Sequence, residues 1–495
     1  MPIPYIMIRV RDAFGLPVRN AKVSVTLNDK DEFTLHESND AQGVYEQQVF
    51  GPKLTVKVSA GDCFRLTQDL TLTQSLTPPA VTSAFSGGQQ ESSHYLSSYS
   101  RGESTNFNVE LQVVMSHLRN FPSTITRNLL PNSIPHFGAP ILLSGAAGFN
   151  VTEASLSGQG QVFLAERSQA PKMIAIFVPQ SLVDKIKALK SENTLQLPFH
   201  VMFHPSIPPE YPEDYPFGQK YLDLMDRYLL SNNAPHPAYP FNDRFGFFSK
   251  FLALQSNAGS KPCVMVLPIG GRDEQMGTLN TMSAMHLLLH EIRYFLLRQL
   301  NVKRPLLDAN VGAAAVSGFS AGIRFAGALF ANPNDTFFYN KVLKEVYSFD
   351  GSFVGPGGDT ELSNFCDAVK RWFRGGAEDR ALRVYTTNGA WGTHLSSVIG
   401  GTPTQGANGS SEAHGPNGSM VIMPTAFWRA FFNTLDADFE TKLTNEANLI
   451  AAERRKQNKP ANPENIKGEI VWSHAHQFIP AKFLEHAKYL QKFEP

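Results

Sequence analysis

The sequence predicts an α/β fold with a mostly parallel sheet, preceded by a small all-β domain. In residues 1–115, short segments of alternating apolar residues are separated by turn-forming residues, which is typical of antiparallel strands. From residue 161 onward, short continuous apolar runs alternate with helical patterns, as in parallel sheets buried on both faces. The chain has 495 residues, 42% of them hydrophobic, which suffices for about two or three domains.

The first domain, residues 1–115, is built from predicted strands joined by turns. The strands are expected at 5–10, 21–27, 43–49, 54–58 and 108–114. Its sequence resembles the carboxypeptidase-regulatory or transthyretin-like β-sandwich modules at Val10, Asp12, Gly15, Pro17, Val18, Asn20, Ala21, Val23, Val25, Gly43 and Tyr45. That resemblance implies a module that docks or binds a protein or glycan partner.

A connecting segment, 116–160, is predicted between the two domains. It follows a stretch, 81–107, that is rich in Ser, Gly, Gln and Thr and is predicted to be a loop or linker. Three prolines, Pro122, Pro131 and Pro135, interrupt the chain near this boundary.

The second domain, 161–495, contains the predicted parallel strands and their helices. Its apolar runs predict strands at 173–178, 199–203, 264–267, 311–316, 346–349, 382–385 and 469–472. Spacings of three and four between apolar residues predict helices at 279–300, 426–456 and 480–492.

Bulk composition excludes several classes of function. Formal net charge is zero and the sequence pI is about 7.3, so nothing indicates a nucleic-acid partner. Cys63, Cys263 and Cys366 are distant in sequence and odd in number, which predicts reduced, buried thiols. The spacing of His286 and His290 lacks the zinc-protease pattern, and no metal, nucleotide or cofactor motif is found.

No segment approaches the length of apolar residues that spans a bilayer, so no transmembrane segment is predicted. The N-terminus lacks the pattern of a signal peptide. A cytoplasmic location is therefore expected, and export without a cleaved signal stays open.

The motif with the clearest chemistry is Gly318-Phe319-Ser320-Ala321-Gly322. An apolar strand precedes it and a helix-compatible segment follows. A nucleophilic serine needs this arrangement, because a sharp strand-to-helix turn exposes its hydroxyl and has room only for small neighbours. The turn also aims the next backbone N–H at the substrate oxyanion, so Ala321 is the expected donor.

From these residues, the region from about 165 to 490 resembles the α/β-hydrolase superfamily. It is most similar to the branch that contains enterochelin esterase, feruloyl esterase, the mycolyltransferases and esterase D. The resemblance implies an α/β-hydrolase fold, a serine nucleophile at Ser320 and no cofactor. After strand 199–203, where that branch has His-Gly, this chain has His204-Pro205. Proline has no N–H, so Ser206 is the expected second oxyanion donor, with Gly270 and Gly271 as the alternative.

A serine hydroxyl needs a base to take its proton, and that base needs an acid to orient it. His474 and His476 both follow the predicted last strand. His476 is the expected base, because Phe478 and Leu484 after it resemble the pattern of that branch, and His474 is the alternative. The order Ser, acid, His places the acid between 320 and 474. Asp350 is the first candidate, Glu412 the second, and another carboxylate is left open.

The predicted function is hydrolysis of a carboxylic ester through an acyl-enzyme. A Pro-, Tyr- and Phe-rich insertion, 206–260, forms either a lid or acyl-pocket wall, or an ordinary packed segment. Two alternatives stay open. An acyltransferase, lipase or polyester depolymerase uses the same residues. A binding or scaffold protein with a relict hydrolase domain lacks a complete set of Ser, His and acid.

Overall fold

A computed structural model describes most of the chain. The described residues are 5–28, 30–38, 41–48, 53–72, 81–84, 108–120, 160–189, 195–204, 262–270, 276–300, 302, 309–353, 358–376 and 379–483. The predicted insertion 206–260 lies outside them. So do most of the predicted linker 81–107 and most of the predicted helix 480–492.

Two small sheets form the N-terminal region. Their strands are β1 (Tyr5–Arg11), β2 (Lys22–Leu27), β3 (Asp31–Leu35), β4 (Val44–Gln48), β5 (Lys53–Ser59), β6 (Leu66–Leu72), β7 (Val81–Ala84) and β8 (Asn108–Val114). One sheet has the order β4-β1-β8 and the other β3-β2-β5-β6-β7. Alternate residues of both sheets, such as Ile8 and Val56, enter one buried cluster.

A third sheet, of eleven strands, contains the remaining described strands. Its strands are β9 (Leu118–Asn120), β10 (Gly160–Arg167), β11 (Met173–Pro179), β12 (Leu195–Phe203), β13 (Val264–Ile269), β14 (Ala309–Phe319), β15 (Leu343–Phe349), β16 (Ala381–Thr386), β17 (Thr404–Gln405), β18 (Ser411–His414) and β19 (Gly418–Ile422). The order is β17-β18-β19-β16-β15-β14-β12-β13-β11-β10-β9. β9 lies inside the predicted connecting segment 116–160 and pairs with β10.

The six central strands, β13, β12, β14, β15, β16 and β19, are parallel, and antiparallel strands flank them. The chain leaves β12 toward β13 on one side, whereas it leaves β14 toward β15 on the other. The boundary between β12 and β14 is therefore a topological switch point, where ligands of open α/β sheets bind outside the carboxyl ends of the strands. This mixed α/β architecture is compatible with an α/β-hydrolase fold.

Helices cover the sheet. They are α1 (Gln180–Lys187), α2 (Met282–Gln299), α3 (Ile323–Ala331), α4 (Gly358–Arg374), α5 (Ala390–Ile399), α6 (Thr425–Leu435), α7 (Phe439–Lys456) and α8 (Pro463–Phe483). One large apolar cluster joins the sheet to α1 through α5, and Trp372 and Trp391 are fully buried in it. No helix in the described part of the chain combines the length and apolar character that a membrane crossing requires.

The prediction of a strand at 469–472 was wrong, because these residues lie in the middle of α8. The local signals for a helix start were present upstream. Pro463 occupies the first turn, and Asn462 accepts the backbone N–H of Glu464 at 3.0 Å. The apolar run Ile470–Trp472 fits both the two-residue period of a strand and the 3.6-residue period of a helix. Packing of the helix decided between them. The predicted helix 426–456 is divided into α6 and α7.

The N-terminal sheets contact α2 directly. Arg293 of α2 is buried and donates from Nη2 to the carbonyl oxygen of Ala13 at 2.7 Å, and from Nη1 to that of Ala309 at 2.9 Å. The Phe14 ring packs on His290, with 4.1 Å between ring centroids. A buried guanidinium that bridges two backbone carbonyls fixes this junction, because its loss leaves buried acceptors unpaired.

A buried neutral histidine in the sheet makes stability depend on pH. His200 of β12 contacts Ser317 Oγ of β14 at 2.8 Å, and burial lowers its pKa to about 3. The unfolded chain, with an ordinary pKa of about 6.5, binds the proton first as the pH falls. We expect the free energy of unfolding to fall from about pH 6.5 toward pH 3, and to fall less in His200→Gln. Urea unfolding at pH 7.5 and pH 5 measures this.

His36→Gln is the matched control, because His36 lies on the surface. It should keep the wild-type difference between the two pH values. An equal pH dependence in wild type and His200→Gln would contradict the assignment to His200.

Candidate active site

Ser320 occupies a sharp turn between β14 and α3. Its φ is +52°, a left-handed conformation that non-glycine residues seldom adopt. A Cβ on Gly318 would lie 2.5 Å from the Ile323 backbone, so only glycine fits there. The side chain of Ser320 is partly exposed, at the carboxyl end of a buried strand. This geometry is that of a strand-turn-helix that presents a nucleophile.

The turn packs against the end of the neighbouring strand. A Cβ on Gly322 would lie 2.4 Å from the carbonyl oxygen of Phe203 and 2.5 Å from that of His204. The glycine thus allows α3 to begin directly beside β12. Ser320 consequently lies at the topological switch point, where a substrate can reach it.

Asp350 follows β15, the next strand along the sheet, and also has a positive φ, +46°. Its Oδ1 accepts hydrogen bonds from Thr387 N at 2.7 Å, Thr387 Oγ1 at 3.0 Å and Thr386 Oγ1 at 3.1 Å. Burial by itself would raise the pKa of this carboxyl. The hydrogen bonds from His476 and Thr387 outweigh burial and hold the pKa below its usual value, so Asp350 is an anion.

His476 of α8 meets Asp350 at its other oxygen. Its Nδ1 lies 2.6 Å from Asp350 Oδ2, and both side chains are buried. Because an ionised carboxylate only accepts, Nδ1 carries the proton and Nε2 is left as the basic nitrogen. The imidazole lies between two aromatic rings, Phe319 at 4.7 Å and Trp472 at 4.9 Å between centroids. Phe319 immediately precedes Ser320, so the histidine ring lies beside the turn.

Trp472, one helical turn before His476, contacts both the histidine ring and the residues around Asp350. Its indole Nε1 donates to Thr387 Oγ1 at 3.2 Å, and that hydroxyl in turn donates to Asp350. The Trp472 ring is 44% exposed and stacks on the imidazole at an angle of 20°. One side chain therefore supports both the histidine ring and the loop that holds the carboxylate.

His474, the alternative base, is buried elsewhere. Two residues on a helix point about 200° apart, so His474 and His476 cannot face the sheet together. The His474 ring approaches Phe432 of α6, 6.1 Å between centroids. Burial lowers the pKa of His474 to about 4, which keeps it neutral near pH 7.

Glu412, the alternative acid, lies on β18 and contacts His414 Nε2 at 3.1 Å. Half of its side chain is exposed. The carboxylate that contacts His476 is Asp350. The structure thus brings Asp350, His476 and the turn at Ser320 together and places Glu412 and His474 in other surroundings.

Of the expected oxyanion donors, Ala321 follows Ser320 within the turn and is buried. Ser206 and Gly271 lie outside the described residues. The backbone N–H of Gly270 donates to His204 Nε2 at 3.0 Å. That N–H is already engaged, which argues against Gly270 as a donor to a substrate.

The described residues hold no group of three or more His, Cys, Asp or Glu side chains that is arranged to bind a metal ion. His286, which sequence spacing had flagged, contacts Asp335 at 2.8 Å. His286 lies on α2, and this contact links α2 to the segment that follows α3.

Sequence reasoning missed Thr386, Thr387 and Trp472. Thr386 ends β16 and Thr387 follows it, next to Asp350 across parallel strands, and hydroxyls at strand ends are a usable signal. Trp472 was hidden because its segment was assigned to a strand that ends at this residue, which left His476 in the segment that follows the strand. On a helix, positions four apart do share a face.

No family model matches the sequence, and no curated protein matches it. Solved structures show only weak likeness. Esterase B from Lactobacillus rhamnosis has a TM-score of 0.19 and 9% identity, covering 55% of this chain and 71% of that one. Oligopeptidase B from Leishmania major has 0.20 and 9%, covering 94% of this chain and 51% of that one.

Prolyl oligopeptidase B from Galerina marginata, with bound substrate, has a TM-score of 0.21 and 8% identity, covering 91% of this chain and 60% of that one. The chain thus spans about half the length of the two oligopeptidases in several of these matches.

The close approach of the Phe203 and His204 carbonyls to Gly322 predicts that only glycine is tolerated there. Gly322→Ala places a methyl group against two backbone carbonyls, and we expect it to lower the free energy of unfolding by about 1–3 kcal/mol. Gly468→Ala is the matched control, because a Cβ there meets no atom within 4 Å and the residue lies inside α8. Alanine should stabilise that helix by about 0.5–1 kcal/mol. Urea unfolding of both variants measures the contrast, and equal effects would contradict it.

Proposed function

We propose that this protein is a serine hydrolase that cleaves a carboxylic ester through an acyl-enzyme intermediate. The observation that carries the proposal is the buried hydrogen bond of 2.6 Å between His476 Nδ1 and Asp350 Oδ2, beside the left-handed turn at Ser320. A nucleophile, an oriented base and a fixed anion at adjoining strand ends are what acyl transfer requires.

In the first step, His476 Nε2 accepts the Ser320 hydroxyl proton as Oγ attacks the ester carbonyl. The imidazolium that forms is stabilised by the Asp350 carboxylate, which stays ionised. The negative charge that develops on the carbonyl oxygen is held by the Ala321 N–H and by a second donor, for which Ser206 is proposed. The start of α3 adds a favourable partial positive charge.

The tetrahedral intermediate then collapses, and the C–O bond to the alcohol breaks. His476 gives its proton to the departing alkoxide, which leaves an acyl group on Ser320. In the second half, a water molecule gives a proton to His476 and attacks the acyl carbonyl. The bond between the acyl carbon and Ser320 Oγ then breaks and His476 returns its proton to Oγ. The carboxylic acid is released and the Ser320 hydroxyl is restored, so no cofactor is consumed.

One observation bears on the alternatives. A relict domain with a scaffold role does not need a buried anion hydrogen-bonded to a histidine, since such a pair has a high desolvation cost. The pairing of Asp350 with His476 therefore favours an enzyme. Acyltransferase, lipase and depolymerase activity use the same first step and differ in the acceptor or the acyl chain. The N-terminal sheets fit the proposed β-sandwich module with a docking role.

Reaction with a fluorophosphonate probe tests the nucleophile, because only an activated serine is phosphonylated rapidly. We expect labelling of wild type at Ser320, none in Ser320→Ala, and a loss of about 10³-fold or more in rate in His476→Gln and Asp350→Asn. Intact mass and peptide mapping identify the modified residue.

His474→Gln and Glu412→Gln are the controls, and both should label within a few-fold of wild type. Absence of labelling in folded wild-type protein would overturn the proposal. Loss of labelling in His474→Gln, with His476→Gln unaffected, would transfer the role of base to His474.

Trp472 is expected to position the acid–base pair. Trp472→Phe keeps a ring on His476 but loses the N–H to Thr387, and we expect the rate of Ser320 labelling to fall by several-fold. Trp472→Ala removes both contacts and should lower the rate further, by about 10-fold or more. The labelling rate at several pH values measures the effect. Equal rates in wild type and Trp472→Ala would contradict a positioning role.

A further inference from the structure

A second cluster of thiol, imidazole and carboxylate lies away from Ser320, at the junction of the N-terminal sheets with α2. His117 Nε2 lies 3.8 Å from Cys63 Sγ, and His117 Nδ1 lies 2.8 Å from Glu291 Oε1. Nδ1 donates to the carboxylate, which leaves Nε2 to face the sulfur. A nucleophile, a base and an orienting acid are thus connected in sequence, as in the general pattern of activated nucleophiles.

The turn between β5 and β6 fixes the position of Cys63. Gly61 in this turn has a φ of +47°, and Cys63 N donates to the Ala60 carbonyl at 3.1 Å. The next residue, Phe64, donates its N–H to the Ser116 carbonyl at 3.1 Å, which ties the turn to the segment that carries His117. Cys63 is partly exposed, so small reagents reach it from solvent.

Glu291 anchors the imidazole from α2. The carboxylate is 2% exposed, and its Oε1 also accepts the backbone N–H of His117 at 2.7 Å. Burial acts to lower the pKa of His117, but the hydrogen bonds to Cys63 and Glu291 outweigh it and raise the pKa to about 10. His117 is consequently a cation near pH 7 and places positive charge next to the sulfur.

The other charged groups near the cluster interact with groups other than the thiol. Asp12 lies near enough to Glu291 for the two anions to repel, and this contributes to its raised pKa, of which burial is the main cause. Arg119 covers the Phe64 ring and pairs with Glu166 at 2.8 Å. Asp62, next to Cys63, accepts a hydrogen bond from Gln169 at 3.0 Å. His117 is therefore the charged group in direct contact with the thiol.

The other two cysteines have different surroundings. Cys263 is fully buried, with Met265 Sδ at 3.4 Å from its Sγ. Cys366 is fully buried in the apolar core, and burial raises its pKa to about 12. Neither presents a thiolate to solvent, so both serve as internal controls for the reactivity of Cys63.

We propose that Cys63 is a second nucleophilic site of this protein, activated by His117 and Glu291, and that hydroperoxides oxidise it to a sulfenic acid. The Cys63 thiolate attacks one peroxide oxygen, an S–O bond forms and the O–O bond breaks. Sulfur is oxidised by two electrons and the peroxide is reduced. The His117 imidazolium gives its proton to the departing hydroxide, so hydrogen peroxide yields Cys63–SOH and water.

The rate of alkylation tests the activation. Iodoacetamide reacts with the full chain at pH 7, and peptide mapping gives the rate at each cysteine. We expect Cys63 of wild type to react several-fold faster than Cys63 of His117→Gln and Glu291→Gln, because the imidazole beside the sulfur favours the thiolate. Cys263 and Cys366 should stay unlabelled.

Peroxide with dimedone trapping tests the oxidation. The adduct should form at Cys63 in wild type and in Ser320→Ala, and should be absent in Cys63→Ser. At pH 7 it should form about three- to tenfold more slowly in His117→Gln, since a larger thiolate fraction is partly offset by lower nucleophilicity. Circular dichroism and thermal unfolding check that each variant is folded.

A Cys63 alkylation rate in wild type no higher than that of free cysteine at the same pH would overturn the proposal, and this result does not depend on whether any variant folds. Equal rates in wild type and folded His117→Gln would also overturn it. Absence of the dimedone adduct at Cys63 would overturn the oxidation step.

Discussion

The hydrogen bond between His476 and Asp350 is the interaction on which the candidate site depends. It joins α8, near the end of the described chain, to the carboxyl end of β15 in the middle of the sheet. Both groups are buried, so removal of either partner leaves the other without compensation at a cost of about 3–5 kcal/mol. The contact therefore stabilises the docking of α8 as well as the orientation of the imidazole.

Two backbone conformations at neighbouring strand ends support this contact. Ser320 and Asp350 both have positive φ, and such non-glycine residues cost about 1–3 kcal/mol each. The surroundings hold both in place. Ser352 N donates to the Ser320 carbonyl at 3.0 Å, and Asp350 N donates to the Tyr385 carbonyl at 2.6 Å. Residues held in rare conformations at the open edge of a sheet are typical of sites where geometry matters more than local stability.

The clusters at Ser320 and at Cys63 each contain a histidine hydrogen-bonded to a carboxylate. They differ in the parts of the fold that supply these residues. At Ser320 the proposed acid, Asp350, follows β15, and the proposed base, His476, lies on α8. At Cys63 the nucleophile belongs to the N-terminal sheets and the acid to α2, so the cluster exists only while the two regions are docked. Arg293, which bridges Ala13 and Ala309, holds the same junction.

Much of the secondary structure was predictable because local patterns and tertiary packing agreed. The buried strands from β11 to β16 are continuous apolar runs, and the motif from Gly318 to Gly322 predicts its own turn, since only glycine fits where the chain approaches β12. The helix at 463–483 was missed because its apolar run Ile470–Trp472 fits two periods, and only packing against the sheet distinguishes them.

Sequence alone determined the serine, two candidate histidines and a choice of acids. Tertiary structure decided which side chains meet, because contact between Asp350 and His476 spans 126 residues of chain and depends on strand order and helix docking. The same holds for Thr387, Trp472 and the group formed by Cys63, His117 and Glu291, whose members are far apart in sequence. No local pattern encodes such a meeting, since each residue has several equally good local roles until the chain is folded.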